Sequence, residues 1–144
     1  MPKLANTARR KTLTHAGGCL CGAVRFRARG NPTLVEHCHC SMCRKASGAP
    51  VVTSANFPAD AFAWTKGKLK YYRSSPKARR GFCAQCGSQL TFRFDKRTDY
   101  VRVNVGCFDR PERVKPQCHI YADTMIPWLH MKDGLPRHRR GITG

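Results

Sequence analysis

The sequence predicts an all-β protein of one domain, built from antiparallel sheets. Apolar and polar residues alternate with period two in three separate segments. Val24 and Phe26 alternate with Arg25 and Arg27. Leu90, Phe92 and Phe94 alternate with polar neighbours, and Val101, Val103 and Val105 with Arg102 and Asn104. That period marks half-buried strands. No segment holds a 3.6-residue apolar period over three turns; residues 41–47 have room for one short helical turn. The length of 144 residues, with 41% hydrophobic content, suits a single core.

Residues 1–15, MPKLANTARRKTLTH, are basic, acid-free and lack an apolar run, so they read as a disordered tail and not as a signal or transit segment. Residues 16–131 form the expected domain. Beyond the three alternating segments, residues 50–54, 62–65, 69–73 and 117–121 are strand candidates. Turns are marked by Arg29-Gly30-Asn31-Pro32, Lys66-Gly67-Lys68, Ser74-Ser75-Pro76 and Asp109-Arg110-Pro111. Residues 132–144 read as a basic C-terminal tail. No repeat or Gly/Ser-rich linker suggests a second domain. With no apolar stretch long enough for a bilayer and no signal peptide, a cytoplasmic protein without a membrane partner is expected.

The net charge is +19, and the body stays basic when both tails are set aside. If the apolar strand residues face the core, Arg25, Arg27, Arg93 and Arg102 share an outward, solvated sheet surface. Such charge suits nucleic acid or another polyanion, but only non-specifically. We find no aromatic-interleaved basic motif and no groove-reading helix to supply specificity.

Nine cysteines are an odd number for a disulfide framework, and metal binding or thiol chemistry accounts for them better. Four form two pairs, Cys19-Leu20-Cys21 and Cys83-Ala84-Gln85-Cys86, each followed by a glycine, Gly22 or Gly87. Two sulfurs on a tight turn can wrap one ion, and glycine takes the left-handed position that follows. We read Cys19, Cys21, Cys83 and Cys86 as one closed structural zinc site that staples distant parts of the chain. A redox Cys-x-x-Cys lacks its βαβ context here.

The stretch HCHCSMCRKASGA, residues 37–49, holds three more cysteines, Cys38, Cys40 and Cys43. Three thiolates leave one tetrahedral position free. His37 or His39, or Cys107 or Cys118 from afar, would close it; with no protein ligand the site is open to exchange; or the three are free thiols. Cys107 and Cys118 otherwise read as buried small apolar residues.

The blocks GGCLCG at 17–22, CHCSMCRKASG at 38–48 and FCAQCGSQL at 82–90 together resemble the glutathione-dependent formaldehyde-activating enzyme family. Pro116, His119-Ile120-Tyr121 and Pro127-Trp128 are similar to that family's C-terminal pattern. The resemblance implies a tent-like arrangement of antiparallel sheets pinned by the four-cysteine zinc site. It also implies a second, labile zinc at Cys38, Cys40 and Cys43, where the chemistry takes place. The implied activity is that of a zinc-dependent carbon–sulfur lyase, forming S-hydroxymethylglutathione from glutathione and formaldehyde.

Three anionic thiolates weaken the Lewis acidity of one ion, so delivery of a deprotonated glutathione sulfur is favoured over polarisation of the carbonyl. Arg44 and Lys45 are the nearest cations for the glutathione carboxylates. His39 is the nearest titratable group for proton transfer. His119 reads as structural and Trp128 as core or pocket lining. A non-catalytic zinc module that binds a small ligand or a polyanion through its basic surface is the alternative.

Overall fold

The computed structural model describes residues 13–142. The basic segment expected at residues 1–15 lies outside the described residues up to position 12. Ten strands and one helix follow in order: β1 (Thr14–Gly18), β2 (Arg25–Arg29), β3 (Leu34–Cys38), α1 (Ser41–Ser47), β4 (Val52–Pro58), β5 (Phe62–Lys66), β6 (Lys70–Ser75), β7 (Ala78–Phe82), β8 (Gln89–Phe94), β9 (Tyr100–Asn104) and β10 (Cys118–Ile120). They make a three-stranded sheet, β1-β2-β5, and a seven-stranded sheet, β10-β3-β4-β9-β8-β7-β6. Every pairing is antiparallel except that of β10 with β3, which is parallel. The fold is all-β as expected, with one parallel pair at an edge. Among the described residues no helix is long and apolar enough to cross a membrane.

The core fills the space between the two sheets. Val24, Phe26 and Ala28 meet Val35, Ala55, Phe57, Leu90 and Val103, with Phe108 between them. Phe26 stacks on Phe62 at 5.2 Å and meets the edge of Phe108 at 5.1 Å. Burying each such side chain stabilises the fold by about 1.5–3 kcal/mol.

Two expectations are corrected. Strict alternation put Leu90, Phe92 and Phe94 on a single face. The β7–β8 register instead shifts, pairing Gly81 with Thr91 but Phe82 with Gln89. Leu90 is the extra residue of this bulge and turns into the core, while Phe92 and Phe94 line a cavity on the other face of the large sheet. The four arginines do not share one surface either. Arg25 and Arg27 lie in the small sheet, Arg93 and Arg102 in the large one. Arg102 is buried, with Nη2 3.0 Å from Glu36 Oε1 and Nε donating to Asn56 Oδ1 at 3.0 Å. An arginine tolerates burial when its charge and donors are paired.

Residues 132–142 run beside β10. His119 N donates to Pro136 O, and His138 N donates to His119 O, both at 2.8 Å.

Candidate functional site

Cys19 and Cys21 lie between β1 and β2; Cys83 and Cys86 lie between β7 and β8. Each sheet therefore contributes one pair. Gly22 and Gly87 adopt φ of +79° and +76°, as the turns require. Their amides donate back to Cys19 O at 3.2 Å and Cys83 O at 2.8 Å. Ser88 ties the two turns together: its hydroxyl accepts from Leu20 N at 2.9 Å and lies 3.2 Å from Cys86 Sγ. All four sulfurs lie within 4.8 Å of one another, with Cys19–Cys21 at 3.6 Å and Cys21–Cys83 at 3.8 Å. A disulfide needs about 2.05 Å. Four sulfurs bound tetrahedrally at about 2.3 Å from an ion sit about 3.8 Å apart. The donor set fits a thiophilic tetrahedral ion such as zinc.

Cys38 ends β3, Cys40 caps α1 and Cys43 lies in its first turn. Their sulfurs also lie within 4.8 Å of one another. Among the described residues no fourth histidine, cysteine or carboxylate joins them within that span. The cluster forms one wall of a cavity of about 380 Å3, which opens on the face of the large sheet turned away from the core. Val52, Phe92, Phe94 and Ile120 give it apolar walls, and Arg80 and Arg102 lie in its floor. Arg80 and Arg102 both pair with Phe92 in the sheet register, and their guanidinium carbons sit 5.0 and 5.4 Å from its ring centre.

Arg80 is buried and reaches Cys43 Sγ with Nη1 at 3.6 Å and Nη2 at 3.7 Å. Its buried Nε has no acceptor. The thiols themselves share protons unequally. Hydrogen bonds from Cys38 and Cys43, then the Cys43 amide and the Arg80 charge, drive the Cys40 thiol far down, whereas its bond to Cys40 drives Cys38 up.

Other residues singled out in the sequence fall elsewhere. His39 is fully buried, with Nε2 2.8 Å from His119 Nδ1, and His119 Nε2 is 2.8 Å from Asp133 Oδ2. Burial and the neighbouring His119 lower the His39 pKa to about 4, and the residue does not line the cavity. His37 stacks near His119 and bonds Thr53 at 2.7 Å.

Arg44 and Lys45 line a separate shallow depression with Pro50, Ile126 and Trp128. One and two helical positions past Cys43, they have rotated away from it. Trp128 is 66% exposed, not core. Cys118 is buried beside Cys38 and Ile120, and half-buried Cys107 donates to Gln89 O at 3.3 Å. The sequence reading missed Arg80 and the Glu36–Arg102 pair, because arginine and glutamate on strands read as solvent-facing.

A closed four-thiol cluster and an open three-thiol cluster beside a cavity, on two β-sheets, define a class of domains able to hold metal ions through cysteine. The model of the glutathione-dependent formaldehyde-activating enzyme family matches residues 14–124, and the chain belongs to that family. It is 26% identical over 119 residues to an uncharacterized lyase of Schizosaccharomyces pombe, covering 76% of this chain and 86% of that protein. It is 29% identical over 131 residues to a putative glutathione-dependent formaldehyde-activating enzyme of Halomonas elongata, covering 81% and 80%. A crystal structure of a Rhodobacter sphaeroides protein shares the fold with a TM-score of 0.50 and 21% identity, over 85% of this chain and 98% of that one.

Proposed function

We propose that this chain is a zinc-dependent carbon–sulfur lyase acting on glutathione or a similar small thiol adduct, in the manner of S-hydroxymethylglutathione synthesis. The observation that carries this reading is the convergence of Cys38, Cys40 and Cys43 on a cavity whose floor holds buried Arg80. The family's description names glutathione and formaldehyde, and a relative is named a lyase.

In this reading Cys19, Cys21, Cys83 and Cys86 hold a structural zinc, and Cys38, Cys40 and Cys43 hold a labile one. When bound there, the ion supplies acidification of a thiol. The remaining work falls to the chain. Arg80, in the cavity lining, supplies positive charge for a ligand carboxylate, while its Nη groups favour negative charge on Cys43. Phe92, Phe94 and Ile120 exclude water and orient the ligand. The thiol releases its proton to water, and the sulfur's electron pair forms the C–S bond to the formaldehyde carbon. The carbonyl π pair moves to oxygen, which takes a proton from water; the lyase direction reverses each step. We assign His39 a positioning role, tying the cysteine loop to His119 and Asp133, and we transfer the carboxylate contact from Arg44 and Lys45 to Arg80.

Metal content and cobalt spectra test the reading. A mild chelator is expected to remove one ion and leave the fold intact. Glutathione is expected to shift the sulfur charge-transfer bands of the cobalt-loaded protein. S-methylglutathione, which cannot ionise at sulfur, competes for the cavity without shifting them. Formaldehyde consumption must exceed the spontaneous addition rate. No spectral response and no acceleration would reject the activity for this chain.

Arg80→Ala is expected to weaken glutathione and S-methylglutathione alike, by about tenfold or more, the worth of one charge-assisted hydrogen bond. Titrating both ligands checks this. A loss confined to glutathione would place Arg80 on the thiolates alone.

A further inference from the structure

We propose that β5, β6 and the turn joining them form a binding surface for single-stranded nucleic acid. The surface adjoins the thiol cavity through Thr91, Phe92 and Arg102 but does not depend on the lyase reading. Residues 62–73, FAWTKGKLKYYR, carry four cations and no acid. Lys66, Lys68 and Lys70 are exposed, and none appears in the ion pairs of the described residues, whereas Arg73 is held by Asp95.

Aromatic rings stand among these cations: Trp64 is 37% exposed and Tyr71 42%. They wall a second cavity, of about 190 Å3, together with Phe92 and Tyr100, and Arg93 is among its other lining residues. The rings and lysines are close in sequence but fall on edge strands of two different sheets, joined by one turn.

Each strand is an edge of its sheet. Edge lysines discourage pairing with other chains, and that alone would explain Lys66, Lys68 and Lys70. It does not explain exposed Trp64 and Tyr71, because aromatic residues on an edge favour pairing. A slot of aromatic rings flanked by cations is the arrangement that accepts unpaired bases by stacking and their phosphates by charge. A duplex hides its base faces, and α1, seven residues long, offers no helix to read a groove. The chemistry selects a single strand, of either sugar.

The test uses the full zinc-loaded chain and a fluorescent oligouridylate of about twelve nucleotides, followed by anisotropy from about 50 to 200 mM salt. A duplex of equal length and anionic phospholipid vesicles serve as comparisons. Lys66→Ala/Lys68→Ala/Lys70→Ala is expected to reduce the salt slope by about two, since each phosphate contact on a single strand contributes about 0.7. Tyr71→Ala is expected to weaken the oligonucleotide about tenfold, through loss of one stacking platform.

Tyr71→Phe should retain affinity, and Tyr72→Ala, on the opposite face of β6, should change little. Melting temperature and metal content confirm that each variant folds, and the Phe variant keeps the ring where Ala disturbs packing. Equal binding of duplex and single strand with no effect of Tyr71→Ala would overturn the proposal, leaving diffuse charge as the cause. Binding to vesicles without binding to oligouridylate would overturn it as well.

Discussion

Cys83→Ser is expected to abolish cooperative folding at ordinary temperature, whereas Cys40→Ser leaves the melting point nearly unchanged. Cys83 is buried in the core with its sulfur 3.8 Å from Cys21, and the four-thiol site joins a turn of the small sheet to a turn of the large one. A structural zinc contributes roughly 10–16 kcal/mol in small domains, as much as the whole stability of a typical fold at about 5–15 kcal/mol. Serine's hydroxyl is a poor substitute for a thiolate on a thiophilic ion. Cys40 instead caps a seven-residue helix at the cavity wall, where a local change spares the core. Circular dichroism melts with and without added zinc read both effects. Equal destabilisation by the two substitutions would remove the division between a structural and a working site.

Arg102→Ala is expected to cost about 3–5 kcal/mol, the usual consequence of leaving a buried charge without its partner. That corresponds to a melting point lower by roughly 10 °C for a chain of this length. Glu36 is fully buried, and burial raises its pKa even against the opposing effect of Arg102. The double variant Glu36→Gln/Arg102→Ala should recover a large part of the loss, since a neutral amide needs no counter-charge. Denaturant unfolding of the two single variants and the double variant gives the coupling directly. If the double variant is as unstable as the sum of its parts, the pair is not what makes Arg102 important.

Strands whose two faces differ in polarity were legible before folding was considered. β2 and β9 alternate cleanly because one face meets the core and the other meets solvent, or a charge. β1, β3 and β7 were not legible. In β1, THAGG, small residues and a buried histidine leave no apolar pattern. In β3, Glu36 is buried on the cavity side, so both faces are enclosed and alternation signals nothing. In β7, ARRGF, Arg80 is the buried residue where the pattern calls for an apolar one.

The metal-capable clusters were legible because thiol spacing is local chemistry, and each pair or triplet sits on one turn. The cavity floor was not. Arg80, Phe92, Arg102 and Ser54 become neighbours only through the register of β7, β8, β9 and β4. Arg44 and Lys45 illustrate the converse: closeness in sequence to Cys43 does not survive the rotation of a helix.

The order of the large sheet has a bearing on how the chain is made. β6 to β9 form a meander of successive neighbours, and β3 pairs with β4 on either side of a short helix. The two halves meet along a seam between β4 and β9, where Phe57 faces Val101 and Ala55 faces Val103. Local hairpins assemble quickly, but a seam between remote segments must wait for its loop to close. Until then β4 and β9 are open edges, and Cys19 and Cys21 sit apart from Cys83 and Cys86. Sulfurs that end as neighbours begin as strangers, so an oxidant acting in that interval joins wrong partners and strands the halves. For this chain, refolding with a thiol reductant is therefore expected to give a higher yield of folded molecules than refolding without one.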